Sequence, residues 1–130
     1  IKNQFSTNPV LHSFQAVVNK YQIDDKLIQS FFHSMRTDLY IKRHSEKSYS
    51  NYIYGSAEAV GLMCLKVFVN GNEQRYQEMS PAAKRLGAAF QKVNFLRDLK
   101  DDYEQMGRLY FPNLMRKNEF DETKSLQLLL

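Results

Sequence analysis

Residues 87–112 read GAAFQKVNFLRDLKDDYEQMGRLYFP, and this stretch decides how the chain is interpreted. At about 100° per helical residue, four polar side chains fall within roughly an 80° arc of one helix face: Gln91, Asn94, Asp98 and Asp102. The other side of the same helix carries apolar residues: Leu86, Ala89, Phe90, Val93 and Leu96. We therefore expect one side to pack in a core while the other presents a continuous polar stripe.

The two carboxylates of this stripe are one turn apart, so both can point the same way. Left unpaired they repel each other, and a shared hard cation such as Mg²⁺ removes that cost. An isolated D-x-x-x-D is also typical of a solvated helix end, here balanced by Arg97 and Lys100. The two amides of the stripe favour the cation site, because they extend the polar stripe into a helix whose sequence otherwise predicts burial. The spacing alone leaves both interpretations open.

The rest of the chain has helical periodicity and no strand pattern, which predicts an all-α fold. Caps and apolar spacing predict five helices: from Asn8-Pro9 to about Asn19, from Asp24 or Asp25 to Leu39, from about Tyr49 to Val69, from Ser80-Pro81 to about Tyr103, and from about Asp121 onward. The third helix ends at Asn70-Gly71-Asn72 and the fourth stops near Gly107. A non-helical connector around Pro112 follows the fourth helix.

Composition excludes several classes of function. The net charge of +4 is mild and the basic residues are scattered, so we expect no nucleic-acid partner. No apolar run approaches the roughly 20 residues that span a bilayer, and no glycine loop for nucleotides is present. The single cysteine excludes an internal disulfide framework and indicates a reducing, cytoplasmic compartment.

The other candidate polar residues have weaker signals. Cys64 lies among apolar residues and is expected to be a packed core thiol. His12, His33 and His44 have no metal-ligand spacing, and His44 is expected at the surface. Asp38 is either a polar cavity residue or part of an exposed face, and residue-type frequencies favour exposure. Arg97 projects away from the polar stripe, which favours an ion pair with another helix.

The segment 87–112 resembles the second aspartate-rich motif of squalene/phytoene synthases, G-x-A-x-Q-x-x-N-x-x-R-D-x-x-x-D followed by G-R-x-Y-x-P. The matching positions are Gly87, Ala89, Gln91, Asn94, Arg97, Asp98, Asp102, Gly107, Arg108, Tyr110 and Pro112. The loop between the second carboxylate and the G-R pair is one residue longer than in many phytoene synthases.

A second match lies upstream, where residues 52–63 read YIYGSAEAVGLM and resemble the family helix Y-x-Y-x-x-A-x-x-V-G. Met35 and Asp38 are similar to the polar helix before it. The resemblance implies an isoprenoid-synthase-type helical bundle, of which residues 1–130 form part. The family's first aspartate-rich motif would then lie before Ile1, on the N-terminal side that the bundle lacks.

The resemblance also implies roles for individual residues. Asp98 and Asp102 would be catalytic ligands of Mg²⁺, which Mn²⁺ can replace, and Tyr52 would be a further catalytic residue. The substrate-binding set would be Gln91 and Asn94, which orient diphosphate or metal-bound water, and Arg108 and Tyr110, which hold the leaving diphosphate at the cavity rim. Tyr52, Gly55, Ser56, Ala59 and Met63 share a helix face that forms either a wall for a prenyl tail or a close helix contact.

The implied activity is head-to-head condensation of two geranylgeranyl diphosphates to phytoene through a cyclopropylcarbinyl diphosphate. The alternatives are condensation of two farnesyl diphosphates to squalene or dehydrosqualene, and a non-catalytic relative that serves as an assembly protein. A prenyl diphosphate is the expected partner, with peripheral membrane contact for product release. Use of NADPH, chain length and oligomeric state stay open. One aspartate-rich helix holds only part of a ligand set, so we expect residues 1–130 alone to be inactive.

Overall fold

The computed structural model describes residues 6–112. It contains six α-helices and one π-helical turn, in this order: α1 Pro9–Tyr21, α2 Asp25–Thr37, α3 Glu46–Ile53, the π-helical turn Tyr54–Glu58, α4 Ala59–Phe68, α5 Glu73–Arg97 and α6 Leu99–Met106. Between residues 6 and 112 the only pairing of strand type is an isolated parallel bridge between Arg43 and Leu109. The prediction of an all-α chain is confirmed, whereas the helix expected near Asp121 lies outside the described residues.

Side-chain caps begin the first two helices where the sequence predicted them. The side chain of Asn8 accepts hydrogen bonds from the amides of Val10 and Leu11, and that of Asp24 accepts from the amide of Lys26. These bonds satisfy amide groups that have no partner inside the helix. Local chemistry therefore sets both helix starts.

The predicted start of the long helix at Ser80-Pro81 is wrong, because α5 begins seven residues earlier. Asn72 caps it by accepting a hydrogen bond from the amide of Arg75 at 3.0 Å, and Lys66 pairs with Glu73 in its first turn. Pro81 lies inside the helix and provides no amide for the usual backbone bond. The hydroxyl of Ser80 donates back to the carbonyl of Tyr76 at 2.6 Å, so this serine is no cap.

The long helix was also predicted to continue to about Tyr103, and instead it is interrupted at Asp98. Asp98 has φ −95° and ψ 0°, outside the helical range, and it ends α5 and precedes α6. Backbone bonds still bridge the break, from the amide of Asp98 to Asn94 and from the amide of Asp102 to Asp98. Helical hydrogen bonding therefore continues across the break, and Gly107 caps the end of α6 in the left-handed conformation, close to the predicted stop.

The continuous rod formed by α3, the π-helical turn and α4 lies between α2 and α5. Glycines allow the backbones to approach on both sides. A Cβ atom at Gly55 would lie 2.2 Å from the carbonyl oxygen of Ser30 on α2, and one at Gly87 would lie 2.6 Å from the carbonyl oxygen of Ala57. Ala59 is fully buried against Leu27 of α2. The face that carries Gly55 and Ala59 thus makes the close helix contact that the sequence left open.

The apolar side of α5 does not pack as predicted within residues 6–112. Leu86, Phe90 and Val93 are 59%, 63% and 56% exposed. Leu86 and Phe90 line an open groove of about 490 Å³ between α4 and α5. Cys64, expected in the core, is exposed and lines the same groove.

No helix in the described part of the chain is both long and apolar enough to cross a membrane.

The contact at Gly55 gives a stability prediction. Replacing Gly55 with Ala in the full-length protein should lower the free energy of unfolding by at least about 2 kcal/mol, because the added methyl group meets the backbone of α2. Urea unfolding followed by circular dichroism measures the loss. Ser56→Ala is the matched control, since its buried hydroxyl has no hydrogen-bond partner among the described residues and its removal should change stability by less than about 0.5 kcal/mol. Equal stability of the two variants would contradict the close contact.

Candidate active site

The four residues of the predicted polar stripe are all half-buried along α5, the break and the start of α6. Asp98 forms a bidentate ion pair with its neighbour Arg97, both bonds being 2.7 Å. These bonds hold the pKa of Asp98 below its usual range. Arg97 was expected to pair with another helix, and that expectation is wrong, because the guanidinium reaches the adjacent carboxylate instead.

Asp102 is in a different electrostatic environment. Burial and then the negative charge of Asp98 raise its pKa, and the nearby guanidinium of Arg108 offsets only part of that shift. A partly buried carboxylate with a second carboxylate one turn away remains undercompensated. The carbonyl oxygen of Asp102 accepts a hydrogen bond from the amide of Arg108 at 2.8 Å, which ties the end of α6 to the connector that follows it.

Asp38 lies where three elements meet, although sequence reasoning favoured an exposed position for it. Its carboxylate accepts hydrogen bonds from the hydroxyl of Tyr52 at 2.7 Å and from that of Tyr110 at 3.2 Å. Its main-chain carbonyl accepts from the guanidinium of Arg108 at 2.9 Å. The expectation of exposure is wrong because the connector, 70 residues along the chain, folds back over the end of α2. The available signal was the similarity of this helix to the polar helix of the family.

The two tyrosines belong to a buried aromatic cluster. Phe95 stacks on Tyr110 with 4.1 Å between ring centroids and 10° between ring planes, and Tyr52 lies 5.3 Å from Tyr110. Tyr52 and Tyr110 are only 5% and 8% exposed. Burial raises the pKa of both phenols, and Asp38 raises them further. The hydroxyl of Tyr110, which the resemblance assigned to diphosphate at a cavity rim, donates to Asp38 here.

His44 is also inside this cluster, so the expected surface position is wrong. Its ring is 1% exposed, stacks on Tyr110 at 5.4 Å and meets the edge of Tyr52 at 5.2 Å. Within residues 6–112 neither ring nitrogen makes a well-formed hydrogen bond. Burial lowers the pKa of His44, and weaker interactions with the Ser48 backbone and with Asp38 oppose the shift. The imidazole is therefore held in its neutral form.

The connector that carries Arg108 and Tyr110 is fixed by backbone pairing with the segment after α2. The amide of Leu109 donates to the carbonyl of Lys42 at 2.8 Å, and the amide of His44 donates to the carbonyl of Leu109 at 3.4 Å. Gly107 supplies the left-handed conformation that starts the connector. The pairing places Leu109, Tyr110 and Phe111 in the core.

The oxygen groups of the stripe fit a partial site for a hard divalent cation. Asp98 and Asp102 offer two carboxylates, and Mg²⁺ is commonly held by one or two carboxylates together with substrate phosphates. Burial, and after it the charge of Asp98, raises the pKa of Asp102, and a cation between the two carboxylates would favour their charged forms. Among the described residues, no group of three or more His, Cys, Asp and Glu side chains could hold a metal ion. These two carboxylates therefore need oxygen ligands from elsewhere.

Within residues 6–112 the chain is all-helical and the helix that bears the two carboxylates borders an apolar groove, an arrangement compatible with the isoprenoid-synthase class of folds. The sequence matches the family described as "Squalene/phytoene synthase" over residues 2–127. The chain therefore belongs to the squalene/phytoene synthase family, as its motifs predicted.

Two curated relatives carry compatible names. The chain is 26% identical over 117 residues to the 4,4'-diapophytoene synthase of Staphylococcus haemolyticus, which covers 89% of this chain and 39% of that protein. It is 33% identical over 98 residues to the bifunctional lycopene cyclase/phytoene synthase of Neurospora crassa, covering 70% of this chain and 16% of that protein. The chain thus spans well under half the length of either relative. No solved structure matches it.

The buried imidazole predicts a pH dependence of stability. The pKa of folded His44 is lowered, so as the pH falls below about 6.5 the unfolded chain binds a proton first. The free energy of unfolding should then decrease by at most about 1.4 kcal/mol per pH unit until the folded imidazole also protonates. Urea unfolding of the full-length protein at about pH 7.5 and about pH 5.5 measures this loss, because the two pH values lie on either side of the ordinary pKa of histidine.

The matched comparison uses the same substitution at two histidines. His44→Phe should reduce the difference in stability between the two pH values, because it removes the buried imidazole. His33→Phe, at an exposed position of α2, should leave that difference as in the wild type. An unchanged pH difference in His44→Phe would contradict the neutral buried state.

Proposed function

We propose that this chain is part of a magnesium-dependent prenyl transferase that condenses two geranylgeranyl diphosphates head to head to phytoene, through a cyclopropylcarbinyl diphosphate. Family membership and the names of both relatives support a synthase of this kind. Because the chain spans 39% and 16% of those relatives, the remaining ligands and cavity walls are assigned to parts of the protein outside this sequence.

The observation that carries the proposal is the placement of the two carboxylates. Asp98 and Asp102 lie one turn apart at the break between α5 and α6, and both are half-buried. Two carboxylates at this spacing suit one divalent cation, and Gln91 of the same stripe lines the apolar groove. Retention of both carboxylates also favours an enzyme over a non-catalytic assembly protein.

The residues of the stripe would act on the diphosphate end of the substrate. Asp98 and Asp102 would hold Mg²⁺, and a bound divalent cation supplies the charge neutralisation that lets a diphosphate leave. Gln91 and Asn94 offer amide groups on the same side of α5 to orient the diphosphate. Arg108 supplies a fixed guanidinium close to Asp102, and guanidinium groups suit phosphate oxygens.

The groove between α4 and α5 would receive part of a prenyl chain. Its lining is almost entirely apolar and includes Val60, Leu65, Phe68, Leu86 and Phe90, and Gln91 of the stripe lies at its edge. An apolar wall keeps water away from the allylic cation that forms when the diphosphate leaves. The proposed diphosphate site and the proposed site for the prenyl chain thus lie along the same helix, α5.

Farnesyl diphosphate is the second candidate substrate. The observation that favours it is the similarity to a protein named 4,4'-diapophytoene synthase, over 89% of this chain. The two candidates share the same residues at the diphosphate end and differ in the length of hydrocarbon that the full cavity must hold. Product analysis of the full-length protein supplied separately with each diphosphate distinguishes them.

The first activity test targets the carboxylates. In the full-length protein, Asp98→Asn and Asp102→Asn should each lower turnover by about 100-fold at saturating substrate, because the leaving diphosphate loses charge compensation. Thermal unfolding should change little, since both side chains are only half-buried. Turnover is measured by extracting and quantifying the hydrocarbon product.

Asp101→Asn is the matched control, because this carboxylate is on the same helix, next to Asp102, and is exposed. It removes the same charge and should keep turnover within about threefold of the wild type, as expected for an exposed side chain that is not a proposed ligand. Equal losses in all three variants would show a general charge effect and overturn the assignment of the site.

A second test concerns residues 1–130 expressed alone. This segment should yield no condensed product from either diphosphate, because its described part offers only two carboxylates for the cation. It should also self-associate through the apolar side of α5, where Leu86, Phe90 and Val93 are exposed. Light scattering and product extraction measure the two properties. Turnover by a monomeric segment would show that the proposed division of the active site is wrong.

A further inference from the structure

Asp38 joins elements that are far apart in the sequence. It ends α2, and it receives a phenol from α3 through Tyr52 and another from the connector through Tyr110, which lies 72 residues away. Its carbonyl oxygen receives the guanidinium of Arg108 from the same connector. One residue therefore binds the connector at two points, through its carboxylate and through its backbone.

The connector in turn contacts the helix segment that bears the polar stripe. The ring of Tyr110 stacks on Phe95, which directly follows Asn94 on α5. The amide of Arg108 donates to the carbonyl oxygen of Asp102 at 2.8 Å on α6. Two contacts thus link the residues held by Asp38 to the two sides of the helix break at Asp98.

We propose that Asp38 is a positioning residue for the cation site, holding the connector so that Asn94 and Asp102 keep the geometry needed to bind Mg²⁺ and diphosphate. This role rests on the proposed function of the stripe. Asp38 would contact neither the metal ion nor the diphosphate, and it would act through Tyr110 and Arg108.

The carboxylate is suited to this role because it offers an acceptor to each phenol. Charged acceptors make hydrogen bonds roughly twice as strong as neutral ones, and both phenols are buried where an unmet hydroxyl is costly. An amide at position 38 would keep one acceptor oxygen and present an NH₂ group to the other phenol. Asp38→Asn therefore weakens the clamp while preserving the size of the side chain.

The experiment measures binding of Mg²⁺ to the full-length protein by titration calorimetry in the presence of inorganic pyrophosphate. Asp38→Asn should raise the dissociation constant for Mg²⁺ by about tenfold, as for other residues that orient metal ligands from outside the first coordination shell. Asp25→Asn is the matched control, an exposed carboxylate at the start of the same helix, and should leave the constant unchanged. This readout does not depend on catalysis, so it stands apart from the test of the proposed function.

A second readout measures the clamp itself by urea unfolding of the full-length protein. Asp38→Asn should lower the free energy of unfolding, because the buried hydroxyls of Tyr52 and Tyr110 lose part of their acceptor, whereas Asp25→Asn should leave it unchanged. Tyr110→Phe keeps the ring that stacks on Phe95 and removes one hydroxyl. It should raise the Mg²⁺ dissociation constant in the same direction but less, and it serves if Asp38→Asn does not fold.

The two readouts together decide the proposal. Lower stability of Asp38→Asn with weaker Mg²⁺ binding supports it, and non-additive effects in the double variant Asp38→Asn with Tyr110→Phe support one shared path. Lower stability with unchanged Mg²⁺ binding overturns the positioning role. Unchanged stability of Asp38→Asn overturns the clamp itself. A wild-type protein that binds Mg²⁺ and pyrophosphate but makes no hydrocarbon refutes the proposed reaction alone.

Discussion

The close approach of backbones at glycines is the constraint on which the arrangement of helices depends. The rod of α3, the π-helical turn and α4 meets Ser30 of α2 at Gly55, and it meets α5 at Gly61 and Gly87. Any side chain at these points would collide with a carbonyl group, so the three helical layers could not come this near. These contacts then determine which residues of α5 face the groove and which face the aromatic cluster.

Within that frame, the polar and aromatic groups are held by contacts between distant parts of the chain. Phe95, on the side of α5 next to the stripe, is buried against Tyr110 of the connector. Burial of so many rings leaves hydroxyl groups that need acceptors, and Asp38 supplies them for two. The same cluster encloses His44 and keeps it neutral. The same aromatic cluster thus affects both the packing of α5 and the electrostatic environment near its carboxylates.

Sequence reasoning succeeded where the determinant is local and failed where it is tertiary. The caps at Asn8 and Asp24 and the glycine stop at Gly107 depend on a few neighbouring residues, and all were predicted. Ser80-Pro81 has the form of a helix start, yet Asn72 and the contacts of the first turn extend the helix past it. His44 was expected at the surface, and it is buried because the returning connector brings Tyr110 against it.

The two sides of α5 show why the candidate site was easier to predict than its surroundings. Periodicity predicted a polar stripe and an apolar side, and the four stripe residues are half-buried. Periodicity cannot predict which side of a helix packs against another helix. Within residues 6–112, α5 packs against the rod at Gly61 and Gly87, while Leu86 and Phe90 stay exposed beside the groove. A pair of half-buried carboxylates and uncovered hydrocarbon lie along one helix, and the proposed ligand, with an anionic, cation-bound head and a long apolar tail, would contact both.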